Sequence, residues 1–263
     1  MRRSKVKAKL GRGEPVLVTA LALLDPSLFE LTSLMGFDAI WLDMEHHPHS
    51  METAATLMRA ARVGTSDLMV RPAKGEFMRL GRMLEAGAQG IMYPRCDDAA
   101  EARELVKWSK FHPLGKRGID TGNADAPYCS MPVDRYVEEA NEETFLVVQI
   151  EDPAALEHVD EIAAVPGVDI LFLGPGDFSV LSGVPGQTTH PRVIEAIERI
   201  AAAARKAGKA WGMPCSSPDH AAQLMDRGAR FLTHGADILM VKSGLESIRR
   251  SFGSLGFAFD GSL

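Results

Sequence analysis

Two acids and three histidines crowd into the seven residues from Asp43 to His49, directly behind the apolar run Ala39–Leu42. Imidazole titrates near neutrality, so His46 beside Asp43 and Glu45 is a candidate general base oriented by a carboxylate. His47 and His49 need no such role. A zinc site is disfavoured, because "HHPH" lacks the i, i+4 helical spacing of paired histidine ligands. Farther along, Glu151 and Asp177 each follow an apolar run, "FLVVQI" and "DILFLG". Two hard carboxylate ligands completed by water suit magnesium or manganese, with cobalt as a third candidate, and such an ion also takes substrate oxygens. An equally good reading has both residues capping the helices that follow them. Arg71 ends "DLMVR" ahead of Pro72, which enforces an extended exit. Its guanidinium can stabilise an enolate or a carboxylate, or it can simply pair with Asp43 or Glu45. "LGPGDFS" sets Gly174 and Gly176 at a strand-to-helix turn, where backbone amides can face a carboxylate or phosphate or merely turn the chain.

These residues have a common position, the end of a short apolar run. Eight such runs recur, at 16–20, 39–43, 67–71, 90–94, 145–151, 169–174, 210–214 and 230–235. Between most of them lie segments with apolar residues at three- and four-residue spacing, such as "METAATLMRAARV", "AAEARELVKWSKF" and "PRVIEAIERIAAAARKAG". Continuous apolar strands alternating with helices point to a parallel sheet covered on both faces. Eight βα units over about 250 residues make a (β/α)8 TIM barrel, here a single domain over residues 1–263. A doubly wound sheet is the alternative, but no dinucleotide fingerprint opens any helix. In a barrel the carboxyl ends of the strands form the active-site mouth. Asp43, Arg71, Gln149, Glu151, Asp177 and His234 would then meet there. The widest gap holds one helix and a Gly/Pro-rich segment around 112–132, expected to be a functional loop over one end.

Bulk composition narrows the partners. A net charge of -6 without a long basic block beyond the first ten residues argues against nucleic acid. No apolar stretch approaches the roughly 18 residues of a membrane helix. The head "MRRSKVKAKL" before "VLVTALALL" has the outline of a secretion signal, but "GRGEP" interrupts it and "VLVTA" reads as a core strand. Cys96, Cys129 and Cys215 form neither a disulfide framework nor a zinc pair, so a reducing, cytoplasmic setting is the default expectation.

The ordered set "GFDAIWLDMEHHP", "VRP", "EAGAQGIMYPRCDDAAEARELV", "HPLGKRG", "VVQIEDPAAL", "GVDILFLGPGDFS" and "HPRV" resembles the HpcH/HpaI family of class II pyruvate aldolases from about residue 15 to about 250. The resemblance implies a (β/α)8 barrel that cleaves or forms a 4-hydroxy-2-oxo acid through a metal-bound pyruvate enolate. It also implies a homo-oligomer, dimer-based or hexameric, that exchanges helices between subunits. The substrates it implies are a small 2-oxo acid and an aldehyde. Carried over by position, Glu151 and Asp177 match the metal ligands and Gln149 a pocket residue beside them. Arg71 matches the enolate-stabilising arginine, and His46 the base with Asp43 as its orienting partner. Glu45 completes the "DxEH" motif, and Gly174 with the amides around Gly176 matches the turn receiving the pyruvate carboxylate.

Departures from the family pattern gather around the pocket walls. Glu85 stands where members often carry an aspartate that reaches a neighbouring subunit's site, and Thr233 and His234 stand where small apolar residues are common. His234 is therefore a candidate specificity residue or second acid, or a structural hydrogen-bonding group. The rival functions are a metal-dependent 2-oxo acid decarboxylase or hydrolase, a metal-free isomerase, and a non-catalytic binding protein on a degenerate aldolase barrel.

Overall fold

The computed structural model describes residues 1–261; the last two residues of the expected 1–263 domain lie outside the described residues. Eight parallel strands close into a barrel in sequence order: β1 (Val16–Leu21), β2 (Ala39–Asp43), β3 (Asp67–Arg71), β4 (Gly90–Tyr93), β5 (Phe145–Ile150), β6 (Ile170–Leu173), β7 (Ala210–Pro214) and β8 (Phe231–Ala236). Each lies within a residue or so of its apolar run. Strand alternation divides the side chains between two cores. Inward residues such as Val18, Met69, Met92, Phe145, Phe172 and Phe231 fill the barrel. Outward Ile40, Leu42, Val70, Val148 and Leu171 pack under the helices. Phe172 and Phe231 meet edge-on at 6.0 Å inside the barrel.

The amino-terminal end is closed by a helix that the apolar periodicity does not announce, Lys5–Gly11. Ser4 caps it, and Asp67 at the start of β3 takes the Ser4 hydroxyl at 2.6 Å and the Val6 N–H at 2.9 Å. Val6 is thereby set among the barrel-filling residues.

The gap between β4 and β5 holds two helices rather than one, Ala99–Ser109 and Val133–Glu143. Segment 112–132 joins them. Its buried Arg117 pairs with Asp125 at 3.3 Å and donates to the Tyr136 hydroxyl at 3.0 Å. Its Ala124 carbonyl accepts from Arg62, at the C-terminal end of the helix Met51–Ala61. Helices descend from the mouth in this architecture, so these contacts set the segment toward the amino-terminal side of its own barrel.

Helix Asp237–Gly253 follows β8 but does not pack back on it: Asp237 is its buried residue, while Ile238, Leu239, Leu245 and Ile248 are exposed. All three cysteines are unpaired, and among the described residues no helix is long and apolar enough to cross a membrane.

Candidate active site

Asp43 and Arg71 are direct register partners at the carboxyl ends of β2 and β3. Arg71 Nε and Nη2 donate to the two oxygens of Asp43 at 2.9 and 2.6 Å, the bidentate geometry that a planar guanidinium favours. The guanidinium lies 4.7 Å from the centre of the Trp41 ring, which is two residues before Asp43 and so on the same strand face. Two of its three nitrogens are thus committed. The third, Nη1, faces Glu45 Oε2 at 3.1 Å and Gln149 Oε1 at 3.4 Å. Burial works to raise the Asp43 carboxyl, but Arg71 and the backbone N–H groups of Glu45 and His46 hold it below the usual carboxylate range.

Glu151 follows β5 and is 2% exposed. Its Oε1 accepts from Gln149 Nε2 at 2.8 Å and its Oε2 from the Arg95 N–H at 3.1 Å. Burial pushes its carboxyl up to about 7, with Asp177 and Glu45 adding to the rise and Arg71 opposing it. Glu45 is raised for the same first reason, burial, against the pull of Arg71. Gly174 is required here because a Cβ at that position would stand 1.9 Å from Glu151 Oε1.

Neither Glu151 nor Asp177 caps a helix. Asp152, not Glu151, caps the helix Pro153–Glu157, accepting from the Ala154 N–H. Helix Pro175–Leu181 starts at Gly174 without a side-chain cap, which leaves Asp177 exposed in its first turn. Among the described residues no group of three or more His, Cys, Asp or Glu converges on one point. A metal held here would rest on Glu151 and Asp177 and fill its remaining positions from water or substrate.

The histidines are arranged differently from the expectation. The Asp43 carboxylate is occupied by Arg71 and does not orient the His46 imidazole, which is largely exposed with Nε2 3.7 Å from Glu45 Oε2. The ring reaching toward Asp43 is that of His47, with Nε2 4.0 Å from Oδ2. His47 stacks on His49 with centroids 5.5 Å apart, and neither buried ring nitrogen of His49 has a hydrogen-bond partner among the described residues. Burial, then His47, lowers the His49 pKa, opposed by Asp43 and Asp237.

Two further expected residues stand apart from this cluster. His234 does not enter the mouth. Phe231 points into the barrel, so Leu232 and His234 point outward, and His234 Nδ1 lies 2.7 Å from the Cys215 carbonyl in an outer groove shared with Leu17 and Met225. Glu85 sits with segment 112–132: burial raises its carboxyl, and Arg117, Asp120 and Asp125 are its charged neighbours.

A closed parallel barrel whose ionisable residues meet at the strand carboxyl ends defines an enzyme of the (β/α)8 class. Residues 19–243 match the HpcH/HpaI aldolase/citrate lyase family, and the chain belongs to that family. It is 33% identical to a 4-hydroxy-2-oxo-heptane-1,7-dioate aldolase of Shigella sonnei over 94% of each chain. It is 34% identical to a hydroxypyruvate/pyruvate aldolase of Delftia acidovorans, over 90% of this chain and 87% of that one. The solved HpcH/HpaI aldolase of Desulfitobacterium hafniense aligns with a TM-score of 0.87 at 30% identity, over 94% of this chain and 95% of the other. The chain is accordingly an aldolase-type enzyme, a carbon–carbon lyase.

Proposed function

We propose that this enzyme is a divalent-metal-dependent aldolase that cleaves a 4-hydroxy-2-oxo acid to pyruvate and an aldehyde, or runs the reverse condensation. The observation that carries the reading is a surplus of negative charge: Asp43, Glu45 and Glu151 act on one guanidinium, that of Arg71, which Asp43 already engages through two bonds, and Asp177 adds its charge to Glu45 and Glu151. A buried carboxyl raised toward neutrality beside two more acids fits a site completed by a cation. Glu151 and Asp177 would hold magnesium or manganese, which when bound supplies Lewis acidity at the keto and carboxylate oxygens of the substrate.

The chain's own residues account for the rest. The turn at Gly174, with the backbone amides around Gly176, receives the substrate carboxylate, and Gln149 fixes Glu151 from the side. A histidine at the rim, His46 with Glu45 beside it, takes the proton of the C4 hydroxyl. As the C3–C4 bond breaks, its electron pair moves into the C2 carbonyl, and Arg71 Nη1, the nitrogen not engaged by Asp43, stabilises the enolate oxygen. Protonation at C3 then releases pyruvate.

The test is deuterium exchange into the methyl group of pyruvate, followed by proton NMR with magnesium, manganese or chelator. Metal-dependent exchange lost in Arg71→Ala and His46→Ala supports the reading; loss in His47→Ala instead transfers the base to the ring nearer Asp43. Product analysis on 2-oxo acids separates cleavage from decarboxylation or hydrolysis.

The assembly belongs to the same reading. The exposed apolar face of helix Asp237–Gly253 and the open groove of about 550 Å³ lined by Leu17, Pro218, Ala221, Met225 and Leu232 are complementary needs of one chain. A second copy meets both by exchanging this helix, and Glu85 with segment 112–132 then serves a neighbour's mouth rather than its own. Sedimentation of the intact chain as a dimer or larger supports this; a monomer refutes it.

A further inference from the structure

The exit of β4 is fastened to the loop that leaves β3. Tyr93 ends β4, stacks on Phe77 with centroids 5.0 Å apart, and donates its hydroxyl to Glu101 Oε1 at 2.7 Å while accepting from the Gly75 N–H at 3.0 Å. Glu101 Oε2 accepts from the Asp97 N–H at 2.7 Å and from Lys74 Nζ at 3.2 Å. Lys74 Nζ also donates to the Arg95 carbonyl and pairs with Asp97 Oδ2 at 2.8 Å. Beyond this knot, two amides reach β5: Arg95 N–H to Glu151 Oε2 at 3.1 Å and Cys96 N–H to the Gln149 carbonyl at 3.0 Å. Arg95 has φ +47°, in the left-handed region that residues with a side chain rarely adopt. The turn that aims its N–H at Glu151 therefore needs an external hold, and Lys74 grips the same residue by its carbonyl.

We propose that Lys74 is a positioning residue, which fixes the strained Arg95 turn so that the Arg95 N–H sets the orientation of Glu151 as a cation ligand. This rests on the reading of Glu151 as a metal ligand. Partners that orient a ligand commonly change metal affinity 10- to 100-fold. The sign separates positioning from simple electrostatics. Removing a positive charge near an acidic site strengthens cation binding through the field, whereas releasing the turn weakens it.

The experiment measures Mn2+ dissociation constants by electron paramagnetic resonance on the full chain, alongside thermal midpoints of the metal-free protein. Lys74→Met is expected to bind Mn2+ about 10-fold more weakly, with Lys74→Arg close to wild type and the midpoints little changed. A Lys74→Met affinity equal to or tighter than wild type overturns the assignment. Should that variant not fold, Glu101→Gln loosens the same knot while keeping its shape, and an unchanged dissociation constant there has the same force. Wild-type protein that binds no Mn2+, or Glu151→Gln binding as well as wild type, overturns the ligand reading and this inference together. Tight wild-type binding lost in Glu151→Gln but unchanged in Lys74→Met overturns this inference alone.

Discussion

Acids gather at both ends of this barrel, but their surroundings differ. At the amino-terminal end, Asp67 takes the N-terminus of the helix Lys5–Gly11, Asp38 takes Lys9 at 2.7 Å and the Leu17 N–H at 2.9 Å, and Asp169 takes Lys7 at 2.7 Å. Although burial works to raise Asp38, Lys9 and the Leu17 N–H bring it below the ordinary carboxylate value. At the carboxyl end, Asp43 and Glu45 both pair with the single Arg71 guanidinium, Glu151 lies within its field, and Glu151 and Glu45 are raised, first by burial and then by neighbouring acids that include Asp177. Lysines match Asp38 and Asp169, and Asp67, although burial raises it, is filled by hydroxyl and amide donors, so the amino-terminal acids fix the fold; the surplus charge at the other end is held in place by the rest of the barrel and is available to a ligand.

Substitutions at the two ends should therefore separate activity from stability. Arg71→Ala removes the cation at the mouth, and kcat is expected to fall about 10²- to 10³-fold, measured on protein whose circular dichroism is native. Glu151→Gln should abolish divalent-cation binding in calorimetry yet stabilise the metal-free protein at pH 8 by on the order of 2–3 kcal/mol. The sign follows from the raised carboxyl. Between its ordinary 4.5 and about 7 the folded state binds the proton more tightly, so stability present at low pH is lost as pH rises through that window. Urea titrations of the metal-free wild type should show this slope, and Glu151→Gln should flatten it. At the opposite end, Asp67→Ala leaves the Ser4 hydroxyl and two helix amides without their acceptor and should cost about 2 kcal/mol of stability with kcat of the folded fraction unchanged. Lys9→Met, at a partly exposed pair, should cost about 1 kcal/mol or less in the same titration. A large kcat effect from Asp67→Ala would break the division.

Much of this architecture is legible in the sequence because strands buried on both faces leave uninterrupted apolar runs, and the mouth residues follow from reading each run to its end. What lateral neighbours do with those residues is less legible. Asp43 faces Arg71 across the β2–β3 register, so the pairing with Arg71 displaces the one expected with His46. His234 is at the right height but on the wrong face, a distinction that counting alternately from Phe231 supplies. The helix Val133–Glu143 hides because its buried apolar residues, Tyr136 and Ala140, are outnumbered by acids. The hold of Arg95 on Glu151 depends on a positive φ that "YPRCDD" does not signal.

The helix that plugs the amino-terminal end also has a consequence for the order of events during synthesis. The Ser4 amide binds Glu143 Oε2 at 2.7 Å, across 139 residues of chain. The helix thus finds one acceptor in Asp67 but lacks the other until the chain has been made as far as Glu143, and contacts of such long range slow folding. Val6, packed among barrel residues as distant as Phe231, completes its surroundings only once the last strand is in place, which makes this plug one of the last parts of the barrel to settle.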